Sequence, residues 1–275
     1  MRIDSHQHYW KINRGDYGWM SPDFTVLYRD YLPEDLLPHL DRHKIDKSVI
    51  VQAANTVAET DFILELAEGN DRVGGVVGWL DMEANDFEDK LAEYSSKSKF
   101  VGIRPVIHDI SDDAWMIRPK VLESFKRLSE LDFPFEFLTF SRHLPYVLQV
   151  LENVPGLRAV MDHISKPEIK DGNMQPWQDL LKEVAAHPNV YCKVSGMITE
   201  ADHEHWTVDD LLPYVDHVRA CFGPDRLMYG SDWPVCLLAG SYERVIGAAE
   251  TLTSDMDEDS QTRVFGGNAA KFYKL

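Results

Sequence analysis

Arg2-Ile3-Asp4-Ser5-His6-Gln7-His8 begins as a short strand and ends on two histidines. The residues beyond this run set the architecture. No glycine-rich phosphate turn comes after this first strand, so an open, doubly wound nucleotide-binding sheet is disfavoured. Further along the chain, short apolar runs, several of them β-branched, recur over residues 47–52, 73–79, 100–104, 134–139, 157–163, 190–195 and 227–232. Helical periodicity marks 33–43, 58–69, 120–131, 144–151, 177–186, 208–221, 242–252 and 260–273. Pro33 suits a first helical turn. Eight buried-looking strands alternating with helices imply a parallel sheet with right-handed crossovers. The expected fold is an α/β class (β/α)8 TIM barrel, a single domain over residues 1–275. In such a barrel the last strand lies beside the first.

The totals agree. The chain has 275 residues, close to the roughly 250 that such barrels use as one unit. It is 44% hydrophobic and 27% charged, ordinary for a soluble globular protein. A net charge of −18 without a Lys/Arg cluster speaks against nucleic acid and against an anionic membrane surface. Cys192, Cys221 and Cys236 are widely spaced and form no CxxC pair. Neither a disulfide framework nor a structural zinc site is expected. The N-terminal stretch lacks the apolar region of a signal peptide, and no apolar run approaches the roughly 20 residues that span a bilayer. The expected compartment is the cytoplasm, and a homo-oligomer is compatible with these data.

A barrel presents its reacting groups at the C-terminal ends of its strands. Those ends carry His6 and His8, Trp79 and Asp81, Arg104, Glu136, Asp162 and His163, Lys193 and Ser195, and Asp232. A barrel held by packing alone needs no such row of ionisable groups. His6 and His8 share one face of their strand by its period of two. They can chelate a divalent ion or hydrogen-bond a carbonyl oxygen. Asp232 would lie beside them once the barrel closes, placed to take a proton from an attacking water; capping a loop is its plainer role. His163 can contact a substrate carbonyl or a leaving oxygen, or simply be satisfied by backbone. Arg104 suits a carbonyl or carboxylate, with an ion pair to Glu136 as the alternative. Trp79, Trp115 and Trp233 could stack on a substrate face or belong to the core.

Ile3-Asp4-Ser5-His6-Gln7-His8-Tyr9-Trp10, Gly102-Ile103-Arg104, Met161-Asp162-His163 with Lys166-Pro167, Lys193-Val194-Ser195-Gly196 and Tyr229-Gly230-Ser231-Asp232-Trp233-Pro234 together resemble the amidohydrolase superfamily. The likeness is strongest to its amidohydrolase-2 branch of TIM-barrel lactonases, sugar-lactone hydrolases of the L-fuconolactonase and L-rhamnonolactonase kind. It runs in order along nearly the whole chain. It implies hydrolysis of a cyclic ester by water, with Asp232 as base and His163 as its catalytic companion. It also implies substrate binding by His6, His8 and Arg104. The resemblance allows one divalent ion at most, zinc or manganese, on His6, His8 and Asp232, and allows a metal-independent reaction. The fifth strand offers only Glu136 where a two-metal centre needs a histidine or a modified lysine.

The expected function is therefore a cytoplasmic lactonase acting on a small sugar lactone. Few lysines stand at the strand ends, which favours a neutral polyol over a dicarboxylate. A metal-dependent decarboxylase of an aromatic acid and a non-catalytic sugar-acid-binding barrel are the alternatives.

Overall fold

The computed structural model describes residues 1–275. Its strands are β1 (Ile3–Gln7), β2 (Lys47–Val51), β3 (Val73–Gly78), β4 (Phe100–Ile103), β5 (Phe135–Phe137), β6 (Ala159–Met161), β7 (Val190–Val194) and β8 (Leu227–Tyr229). All pair in parallel and in sequence order from β1 to β8. The sheet closes between its outer members through a bridge of Gln7 with Trp233. There the His8 amide donates to the Trp233 carbonyl at 2.7 Å, and the Asp232 amide donates to that of His6 at 2.8 Å. This seam carries the last strand's aspartate to the first strand's histidines.

Most strands stop one to three residues short of the runs read from sequence, where polar residues such as Arg104 and His163 leave the ladder for the barrel mouth. Helices α1 (Pro33–Arg42), α2 (Val57–Ala67), α3 (Phe87–Ser95), α4 (Pro119–Glu130), α5 (Leu144–Asn153), α6 (Trp177–Ala185), α7 (Val208–Phe222) and α8 (Tyr242–Leu252) surround the sheet. Helix α3 has no counterpart in the sequence reading. It buries only Phe87, Leu91 and Tyr94, and its intervening charges hide that period.

The single helix expected over 260–273 is broken in two. Helix α9 (Glu258–Thr262) and helix α10 (Asn268–Tyr273) flank a π-turn at Arg263–Gly267. A side chain at Gly266 would run into the Met1 carbonyl. The Asn268 amide is tied to the carbonyls of Pro224 at 2.7 Å and Leu227 at 2.6 Å. The break swings α10 beneath the barrel. Ala269, Phe272 and Tyr273 then pack with Ile3, Val49, Val77, Val160 and Met228 into a small core inside the barrel. A second core of 71 residues fills the space between strands and helices. No helix is long and apolar enough to cross a membrane.

Candidate active site

The β1 sequence builds its end of the site from the backbone outward. Asp4 is fully buried and accepts hydrogen bonds from the amides of Ser231 at 2.8 Å and His6 at 3.2 Å, and from the Tyr242 hydroxyl at 3.1 Å. It ties β1 to the chain leaving β8. Burial, against the lowering effect of these bonds, pushes its carboxyl up to about 6. Gly230 stands against His6: a Cβ there would lie 2.7 Å from the His6 Cβ.

His6 and His8 share a face, their Nε2 atoms 3.2 Å apart. His8 Nδ1 lies 2.7 Å from the Val51 carbonyl, which can only accept, so Nδ1 carries a proton and Nε2 is turned to the site. His6 Nδ1 lies 3.1 Å from the Lys193 ammonium, a donor. His6 therefore carries its proton on Nε2, aimed toward His8. Burial first, and the Lys193 charge next, hold the His6 imidazole well below its ordinary pKa, so it is neutral at pH 7. Lys193 is fully buried and also reaches Glu136 Oε2 at 2.6 Å and Asp162 Oδ1 at 3.1 Å. Tyr273, from α10, donates to the other Glu136 oxygen.

Asp232 follows β8 in a left-handed conformation, φ 56°. Its Oδ1 lies 3.2 Å from His8 Nε2, 3.7 Å from His6 Nε2 and 3.8 Å from His163 Nε2. Burial works to raise its pKa, but His163 and His8 outweigh burial and hold the carboxyl below its ordinary value. The result is a carboxylate ringed by imidazoles. His163 begins an unusual turn after β6, in which four consecutive non-glycine residues, His163 to Lys166, have φ of 52°, 48°, 60° and 47°. Left-handed backbone costs roughly 1–2 kcal/mol per residue. The turn is held by the Trp177 indole, which donates to the Ile164 carbonyl at 2.6 Å, and by Ser165 Oγ 3.3 Å from Thr139 Oγ1. Ser195 Oγ lies 2.9 Å from His163 Nδ1. Gly196, at φ 58°, leaves room for the ring: a Cβ there would overlap it. Burial holds the His163 imidazole well below its ordinary pKa.

Arg104 does not pair with Glu136, which Lys193 and Tyr273 already occupy. It donates to the Gln52 carbonyl, approaches Asp162 Oδ2 at 3.5 Å and His6 Nε2 at 3.4 Å, and leaves its Nε without a partner. His8, Arg104, His163 and Asp232 line a cavity of about 380 Å³, whereas His6 lies wholly buried behind them.

The three tryptophans singled out from sequence do not line this cavity. Trp233 turns away to pack on Tyr9 and Tyr31. The Trp115 indole donates to Glu83 Oε2 at 2.8 Å. Trp79 leaves β3 tied by its backbone to Thr60. The tryptophan at the cavity is Trp19, brought there by a long loop and anchored by its indole, which donates to the Ala53 carbonyl at 2.8 Å. Its only sequence signal was that the loop over 10–31 is long enough to fold back over the mouth.

His6 Nε2, His8 Nε2 and Asp232 Oδ1 form a candidate metal site. Their separations of 3.2, 3.2 and 3.7 Å match the edge of about 3.4 Å expected between ligands of a tetrahedral ion at about 2.1 Å. The donor set fits one divalent ion. Binding requires the His6 proton to move from Nε2 to Nδ1, where Asp162 Oδ1 stands 3.5 Å away to accept it. A second group, His6, Asp162 and His163, shares the His6 ring. Glu136 and Lys193 neutralise each other on the β5 side, where a second ion would need a ligand.

A family model for amidohydrolases matches residues 3–275. L-fucono-1,5-lactonase of Burkholderia ambifaria is 38% identical over 278 residues, covering 100% of this chain and 96% of that protein. L-fucono-1,5-lactonase of Burkholderia multivorans is 36% identical over 289 residues, with the same coverage. A crystal structure of a Burkholderia multivorans amidohydrolase with bound zinc superposes with a TM-score of 0.96 at 36% identity, covering 100% of this chain and 99% of that one.

Proposed function

This chain belongs to the amidohydrolase family, and from that premise we propose that it is a lactonase opening a sugar-derived cyclic ester, an aldonolactone such as L-fucono-1,5-lactone or L-rhamnonolactone. The observation that carries the reading is the convergence of an ionised, buried Asp232 with the Nε2 atoms of His8 and His163 at the floor of a cavity, with that of His6 directly behind them. Two full-length relatives named L-fucono-1,5-lactonase support the substrate class. The cavity, about 380 Å³, falls within the range of small-molecule sites, roughly 300–1,000 Å³. Trp19, Ala53 and Leu138 give it an apolar wall suited to the C–H face of a sugar ring.

The mechanism rests on the positions of the donors. Arg104, with the His6 Nε2–H behind it, holds the lactone carbonyl oxygen and stabilises the charge that develops there. Asp232 takes one proton from a water as the water oxygen adds to the carbonyl carbon. The tetrahedral intermediate collapses, the carbon–ring-oxygen bond breaks, and the proton on Asp232 passes to the departing oxygen. His163 steadies that oxygen, its ring oriented by Ser195. The product is the open-chain hydroxy acid. A zinc or manganese ion on His6, His8 and Asp232 would act as a Lewis acid on the same carbonyl oxygen.

A pH-indicator assay on L-fucono-1,5-lactone and L-rhamnono-γ-lactone, with and without chelator, tests this reading. Asp232→Asn should lose about 10²-fold or more of kcat while melting normally. Near-normal lactone hydrolysis by that variant would sink the assignment.

A further inference from the structure

The proposed reaction leaves unused a charged pair on the wall of the same cavity. Lys166 and Glu200 both line it, and the Lys166 ammonium donates to Glu200 Oε1. We propose that the Lys166–Glu200 pair reads a vicinal diol of the substrate, one hydroxyl accepting from the ammonium while its neighbour donates to the carboxylate. The proposal rests on the lactonase reading and names the part of the substrate remote from the ester.

Three observations support it. Lys166 is the last residue of the left-handed turn, three positions after His163. Residues three apart in so tight a turn project to the same side, so the strained backbone that delivers His163 also delivers Lys166. Strain of this kind persists only where the surroundings over-determine it, and it gathers at functional sites. A lysine merely closing a surface ion pair would need none of it. The pair also has hydrogen-bonding capacity to spare. An ammonium has three donors, and that of Lys166 hydrogen-bonds only Glu200. Glu200 Oε1 accepts from Lys166 and its side chain makes no other hydrogen bond. Finally, the two side chains are held at 16% and 19% exposure, partly withdrawn from water yet open to the cavity. Their charges cancel, so the wall attracts no anion and instead offers matched donors and acceptors to a neutral polyol. Polar groups arranged in this way discriminate strongly against an analogue that lacks the hydroxyls, because they are then left unpaired.

The test uses the purified full chain, Lys166→Met and Glu200→Gln, with L-fucono-1,5-lactone and unsubstituted δ-valerolactone as probes. Both variants should raise KM for the hydroxylated lactone by about 10-fold or more, with kcat changed less than about threefold and δ-valerolactone turnover barely moved. Equal losses on both lactones, or an unchanged KM for the hydroxylated one, would overturn the proposal. If the unaltered protein opens neither lactone, the lactonase reading fails by itself, and the pair is judged by calorimetric binding of L-fuconate. Binding that is lost in both variants supports the pair as a diol reader. Binding unchanged in the variants, or absent from the unaltered protein, rejects it.

Discussion

The floor of the cavity and the layer of charges just beneath it are both built of buried ionisable residues, yet their partners are arranged in opposite ways. Beneath, Glu136, Lys193 and Asp162 are fully buried, and the ammonium meets two carboxylates and His6 Nδ1 while Tyr273 closes the second Glu136 oxygen. Every charge there has an opposite charge beside it. On the floor, His8, His163, Arg104 and Asp232 are 3–4% exposed. Their polar atoms crowd one point without saturating one another, and Arg104 Nε has no partner at all. Buried charge is tolerated when it is paired and costly when it is not. The charge-paired layer is therefore a frame that fixes the His6 ring, and the layer above it is where a substrate can supply the partners that are missing.

The largest effect should come from breaking the frame. Lys193→Met leaves Glu136 and Asp162 facing each other in the barrel interior. Urea unfolding should show a loss of about 3–5 kcal/mol, partly recovered when Glu136→Gln is added. A Lys193→Met variant as stable as its parent would mean that the lower layer frames nothing.

A smaller effect, on the floor alone, should come from Gly196→Ala. The new Cβ overlaps the His163 ring, and the position has φ 58°. kcat/KM should fall about 10–10²-fold, since displacing a catalytic group by about 1 Å has such a cost. Unchanged turnover would detach His163 from the reaction.

The smallest effect is an expected lack of change with pH. Asp232 is held below its ordinary carboxylate value, so the base is ionised above that value and is lost only as pH falls through it. The acid limb of kcat/KM should lie below about pH 4, with a flat profile from there to neutrality on that side. Glu136, pushed by burial up to about 7, lies outside the floor and should leave no limb. A limb near pH 7 that disappears in Glu136→Gln would show that the lower layer takes part in catalysis after all.

Much of this was legible along the chain because strand period and strand-end chemistry are local. All eight strands emerged from short runs alternating with helical segments, and His6, His8, Arg104, His163 and Asp232 stood out as polar groups ending them. The losses have physical causes. Helix α3 hid because three apolar residues among charges make a weak period. The break at Gly266 hid because its reason, the Met1 carbonyl, comes from the far end of the chain. Trp79, Trp115 and Trp233 were plausible stacking partners by type alone. Which way an indole points depends on neighbours such as Glu83 and Tyr31. Lys193 looked like a cation at the mouth and proved to be sealed in the interior.

By itself the sequence determined the barrel, the order of its strands and the set of ionisable groups at its mouth, because alternation and periodicity are properties of neighbouring residues. Only the tertiary structure decided which of those groups meet. Closure through Gln7 and Trp233 brings Asp232 to the histidines. A left-handed turn sends His163 and Lys166 to one wall. A buried lysine from β7 assigns the proton on His6. Each depends on contacts between residues far apart along the chain, whose geometry exists only after the chain has closed on itself.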